Sequence, residues 1–120
     1  MNSILIVDDS AFSRKMIGRY VQKFFPGASI EYASDGELGL LKYKERKPDC
    51  VFVDLLMPKM GGLDLIRHLK TNGCDKIVVV SADVQQSVRE EAESLGITAF
   101  LNKPLNDDKM RQLAAALEAG

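Results

Sequence analysis

The chain has 120 residues, 46% hydrophobic and 28% charged, with 16 Lys plus Arg against 17 Asp plus Glu and a net charge of −1. That length and apolar content suit one domain with a continuous core and argue against disorder. The near balance of charge gives no general attraction to nucleic acid or to an anionic membrane, so neither is expected as a partner.

The apolar stretches alternate between two periods. Ile4 to Val7 reads as a buried strand, closed by Asp8 and Asp9, and Ser10 is placed to cap a helix. Met16, Ile17, Tyr20, Val21 and Phe24 recur at helical spacing until Pro26-Gly27 ends the run. Residues 29–33 alternate as a weaker strand near a sheet edge, and Ser34-Asp35-Gly36 forms a turn. Leu38, Leu40, Leu41 and Tyr43 mark the inner face of a second helix, which Lys47-Pro48-Asp49 breaks.

Residues 50–54 (Cys-Val-Phe-Val-Asp) form the stretch that organises the rest. An apolar run bounded by turn formers suits a strand buried on both faces, and it ends in a carboxylate. Met57 to Gly62 reads as a loop, with Met57 and Met60 as packing residues. Leu63, Leu65, Ile66 and Leu69 give a third helix. Ile77 to Val80 is a β-branched strand closed by Ser81-Ala82. A fourth helix spans Gln85 to Leu95 with a thin apolar stripe of Val84, Val88, Ala92 and Leu95, capped by Gly96. Ile97 to Leu101 is a fifth strand ending at Asn102-Lys103-Pro104, and a last helix turns Leu105, Met110, Leu113 and Leu117 inward.

Five strand–helix units without repeats imply a parallel sheet covered on both faces, a single domain over residues 1–120. The expected architecture is a flavodoxin-like doubly wound (βα)5 sandwich with strand order 2-1-3-4-5. Cys50 and Cys74 show no metal-ligand spacing and read as free thiols in a reducing compartment. The N-terminal apolar segment is too short for a signal peptide, and no stretch reaches membrane-spanning length. A soluble cytoplasmic protein is expected.

The topological switch point falls between the first and third strands, which brings Asp8, Asp9 and Asp54 to one edge. Three carboxylates packed together repel, and a hard divalent cation such as Mg²⁺ resolves the conflict while leaving positions open for a ligand's oxygens. Ser81 adds a hydroxyl and Lys103 a point charge for phosphate. The set supplies what phosphoryl transfer needs, with Asp54 as the nucleophile. No Gly-rich phosphate loop is present, so the phosphoryl group arrives from outside. His68, the one histidine, falls in the third helix and reads as a surface residue.

Val7-Asp8-Asp9-Ser10, Asp54 with Met57-Pro58 and Met60-Gly61, Ser81-Ala82, Phe100 and Lys103-Pro104 resemble, in that order, the receiver domain of two-component response regulators. The resemblance covers essentially the whole chain. It implies that Asp54 is the phosphoacceptor. It implies Mg²⁺ bound directly by Asp9 and Asp54, by Asp8 through water, and by the backbone carbonyl of Leu56. Ser81 and Phe100 stand where the family has its switch pair, with serine for the commoner threonine and phenylalanine for the commoner tyrosine. Lys103 would pair with the phosphoryl group, and Lys103-Pro104 would be cis.

The donor implied is a sensor histidine kinase or a phosphotransfer protein. The output implied is a protein target on the surface of the fourth helix, fifth strand and last helix, which the Val84–Val88 stripe and Lys109 would serve. A stand-alone regulator of the chemotaxis or phosphorelay kind is expected, with a receiver cut from a longer regulator as the alternative. Two other functions share these residues. One is an aspartyl-phosphate phosphatase of the haloacid dehalogenase type, which usually has a second aspartate where this chain has Leu56. The other is a receiver-like docking module that takes no phosphate.

Overall fold

The computed structural model describes residues 1–82 and 85–119. Its elements in order are β1 (Ser3–Val7), α1 (Ala11–Phe24), β2 (Ser29–Ala33), α2 (Gly36–Arg46), β3 (Cys50–Val53), α3 (Gly62–Thr71), β4 (Ile77–Ser81), α4 (Gln86–Ser94), β5 (Ala99–Asn102) and α5 (Asp107–Ala119). The five strands form one parallel sheet in the order β2-β1-β3-β4-β5, the flavodoxin-like arrangement expected.

The period-2 alternation of each strand divides the core into two layers. Leu5, Val7, Val51, Val53, Ile77 and Val79 meet Leu65, Ile66 and Leu69 of α3, Tyr43 of α2 and Ala92 of α4. Ile4, Ile6, Phe52, Val78 and Val80 meet Ile17 and Val21 of α1 and Met110, Leu113 and Leu117 of α5. Each such large side chain, when fully buried, contributes about 1.5–3 kcal/mol of transfer free energy. The three inner strands are the most deeply buried, and the site hangs from their ends.

Local signals set the helix limits. The Ser10 side chain accepts from the Ser13 amide at 3.2 Å, and Asp35 accepts from the Leu38 amide at 2.8 Å. Lys47 closes α2 in the left-handed region at φ 47°, and Gly96 follows α4 at φ 85°.

Two expectations are corrected. Leu41 is 53% exposed rather than core-facing. The buried positions of α2 are Gly36, Gly39 and Tyr43. A Cβ on Gly39 would stand 2.8 Å from a Val7 methyl, so α2 approaches the sheet along glycines and one leucine turns outward. The fifth strand begins at Ala99, two residues later than expected, because its ladder with β4 starts at Val78↔Ala99. Lys109 is partly committed within the chain: its ammonium donates to the carbonyls of Asn102 and Pro104, both at 2.8 Å, closing the β5–α5 turn. Val88 and Leu95 pack partly buried on the core, while Val84 lies outside the described residues.

Candidate functional site

Strands β1 and β3 are neighbours, with Val7 opposite Val53, so the residues that follow them emerge side by side. The Asp54 amide donates to the Val7 carbonyl at 3.0 Å, and the Asp8 amide to the Ala33 carbonyl at 3.1 Å. These ladder bonds carry both aspartates past the last strand residue with their backbones still fixed. Asp8 is fully buried, Asp54 is 7% exposed, and Asp9 is open to solvent. One carboxylate oxygen from each of the three lies within 4.8 Å of the others.

The floor beneath Asp54 requires a glycine. A Cβ on Gly62 would stand 2.4 Å from the Asp54 carbonyl oxygen and 2.5 Å from the Leu55 Cα. Helix α3 can begin directly under the loop only because position 62 has no side chain. The loop itself includes Lys59 at φ 65°, and Lys59 lies 3.7 Å from the Asp35 carboxylate.

The two buried carboxylates are held unequally. Asp8 is well supplied: Oδ1 accepts from the Ser10 amide at 2.9 Å, and Oδ2 accepts from Ser13 Oγ at 2.6 Å and Lys103 Nζ at 2.9 Å. Arg14 Nη1 also donates to the Asp8 carbonyl at 2.7 Å. Asp54 has two long contacts, from the Leu56 amide to Oδ1 and from Lys103 Nζ to Oδ2, both at 3.3 Å. Burial raises the Asp54 pKa, and the Asp8 charge adds to that; Lys103 and the Leu56 amide oppose it without cancelling it. The Lys103 pKa is also raised. Burial alone would lower it, but the hydrogen bond to Asp8 and the charges of Asp54 and Asp8 outweigh burial.

Ser81 ends β4 fully buried, and its carbonyl accepts the Lys103 amide at 3.0 Å. It therefore lies beside the segment that delivers Lys103. Phe100 lies further back in β5, packed half-buried against the core layer under α4. Leu56 is 58% exposed beside Asp54. The Lys103-Pro104 bond is cis, and His68 is exposed on α3.

The sequence-derived set thus divides in two. Asp8, Asp9, Asp54 and Lys103 meet in one cluster, Ser81 borders it, and Phe100 stands away from it. Sequence reading missed Ser13, Arg14 and Arg89. Ser13 sits one helical turn after the cap residue Ser10, and that spacing is the signal that could have found it. The Arg89 guanidinium lies 4.9 Å from the centroid of the Phe100 ring, a long-range pairing with no local signature.

The donor set fits a hard divalent cation. Three carboxylates face one ammonium, and the Asp54 oxygens are only weakly engaged. An all-oxygen group with surplus negative charge is what Mg²⁺ takes. Beside this cluster runs an apolar groove of about 390 Å³ lined by Phe12, Met16, Tyr20, Pro104 and Leu105, with Lys103 also in its lining and Phe12 75% exposed. Among the described residues no helix is long and apolar enough to cross a membrane.

Known proteins share this arrangement. The family model of the response regulator receiver domain matches residues 4–115. The chemotaxis protein CheY of Thermotoga maritima is 39% identical over 108 residues, 89% of each chain. A protein-glutamate methylesterase/protein-glutamine glutaminase of Koribacter versatilis is 43% identical over 97 residues; these cover 81% of this chain but 27% of that protein. Among solved structures, a chain of the CheX-CheY-BeF3-Mg²⁺ complex from Borrelia burgdorferi superposes with a TM-score of 0.87 at 28% identity, over 98% of this chain and 89% of that one. The match runs through every strand of the sheet and both carboxylate-bearing ends, and the chain belongs to the response regulator receiver domain family.

Proposed function

We propose that this chain is a phosphorylation-activated signalling switch. Asp54 accepts a phosphoryl group from a phosphohistidine on a sensor histidine kinase or phosphotransfer protein, and the α4–β5–α5 surface then changes to control a downstream protein. The observation that carries this reading is the state of Asp54: a buried, weakly engaged carboxylate of raised pKa, with Lys103 alongside. Such a group is poised to exchange its charge for a covalent bond.

In the transfer, the P–N bond of the phosphohistidine breaks and its electron pair stays on the ring nitrogen, while an Asp54 oxygen forms the new P–O bond. Lys103 turns its ammonium from Asp54 Oδ2 to the phosphoryl oxygens. Asp8 keeps its Ser13 and Ser10 donors throughout, so it does not follow Lys103. Asp8, Asp9 and Asp54, with the Leu56 carbonyl, are the groups that would hold Mg²⁺; when bound it neutralises charge on the phosphoryl oxygens. Ser81, beside the segment that carries Lys103, supplies a hydroxyl, and Phe100 follows it. The Phe12–Leu105 groove, which Lys103 also lines, offers the donor an apolar surface beside the site.

The phosphatase alternative is weaker. The position that would carry its proton-shuttling aspartate is Leu56, whose side chain has nothing to titrate. The methylesterase relative extends far beyond the matched region, which is 27% of its length.

The test uses the full chain with Mg²⁺ and acetyl phosphate, read by intact mass. The wild type gains one phosphoryl group, labile to base as an acyl phosphate is, and Asp54→Asn gains none. Equal incorporation by the variant would remove Asp54 from the role, and no incorporation by the wild type would leave the docking-module reading.

A further inference from the structure

Helix α4 is lightly anchored. Of its nine residues only Ala92 is fully buried, with Val88 partly so. Among the described residues, two arginine contacts also tie it to the body. On one flank Arg67 of α3 pairs with Glu91, and Arg67 is itself held by Asp64. On the other flank Arg89 lays its guanidinium over the Phe100 ring of β5, 4.9 Å from its centroid, and lies 3.7 Å from Glu93 one turn on. The ring is thus packed on the core side and covered by a cation on the other.

We propose that Arg89 is a latch: its cation–π contact holds Phe100 in the resting position and ties that ring to α4. This rests on the switch reading above and adds to it the residue that sets the resting balance. A planar guanidinium over an aromatic face is attracted by the ring quadrupole and also contributes its stem's packing. Phe100 cannot leave this position without losing the contact. The loss falls on the moved state alone, so the latch biases the equilibrium toward rest. Because α4 has so little buried surface, the same event frees one of its two flanks. A local step at the sheet edge is thereby converted into movement of a helix.

At a half-exposed site such a contact shifts a two-state balance by about two- to fivefold. The experiment is an NMR titration of the full chain with Mg²⁺ and increasing beryllofluoride, for the wild type, Arg89→Lys and Arg89→Ala. In the free wild type the Arg89 δ-methylene protons resonate upfield through the Phe100 ring current, and beryllofluoride removes that shift. The half-saturating beryllofluoride concentration falls about two- to fivefold in Arg89→Ala and by less in Arg89→Lys. A ring-current shift absent from the free protein, or a midpoint unchanged or raised in Arg89→Ala, overturns the latch. If wild-type shifts reach α4 while that midpoint stays put, only the latch is lost. If they stay confined to Asp54 and Lys103, the switch reading fails, and the latch fails with it.

Discussion

Strand β3 has an aspartate on either side, and the two carboxylates meet opposite fates. Asp49, before the strand, is exposed and accepts from the amides of Asn2 at 2.8 Å and Ser3 at 3.0 Å. Those hydrogen bonds, Asn2 first, hold its pKa below the usual carboxylate range. Asp54, after the strand, is buried, has two contacts at 3.3 Å and is pushed the other way. Only the four residues of the strand separate them. Asp49 has its charge matched by fixed backbone donors and serves to tie β1 to β3. Asp54 has its charge only weakly met, and the fold tolerates that because the three central strands hold its backbone in place.

Removing the lysine widens the contrast most. Lys103→Met leaves Asp54 without its cation and takes one donor of three from Asp8, and should lower stability by about 2 kcal/mol in metal-free buffer, measured by urea unfolding. Asp49 lies at the opposite edge of the sheet, and its amide contacts should be unchanged in that variant. If Lys103→Met unfolds like the wild type, the two ends of the strand are less different than the geometry says.

Asp54→Asn should raise stability by about 1 kcal/mol at neutral pH without metal, since it removes a buried charge that is poorly matched. The sign with pH follows from the raised folded pKa. Relative to asparagine, aspartate costs nothing while both states are protonated. The cost appears as pH rises above the unfolded value of about 3.9 and grows through the folded pKa. Unfolding curves for the two proteins should therefore converge near pH 3 and separate as pH rises; separation in the other direction would mean that Asp54 is a satisfied carboxylate.

Asp49→Ala should do the reverse on a smaller scale. Its two amide bonds are exposed, so the loss is about 0.5 kcal/mol. With a depressed folded pKa, its contribution is complete above about 3.9 and vanishes as pH falls through the folded value. The difference between Asp49→Ala and wild type should thus close toward low pH.

The sheet and its order were legible because strands buried on both faces are continuous apolar runs, and each run here stops at a polar residue: Val7 before Asp8, Val53 before Asp54, Val80 before Ser81. That same punctuation made the cluster of Asp8, Asp54 and Lys103 readable. Contacts between distant residues were hidden. Leu41 looked internal because large apolar residues draw attention, whereas Gly39 makes the actual approach to Val7. Nothing local to Lys109 in the sequence signals that its ammonium meets the turn carbonyls of Asn102 and Pro104. Arg89 and Phe100 are brought together by the packing of α4 on β5, and neither residue type announces the other.

The most direct measurement is a ¹³C NMR titration of the side-chain carboxyl carbons of Asp49 and Asp54, with and without Mg²⁺. Without the cation, Asp54 should titrate above the ordinary aspartate range and Asp49 below it. With Mg²⁺, the Asp54 midpoint should fall while that of Asp49 stays in place. An Asp54 midpoint at or below that of Asp49, or one indifferent to Mg²⁺, would contradict the account of why this strand end is the site.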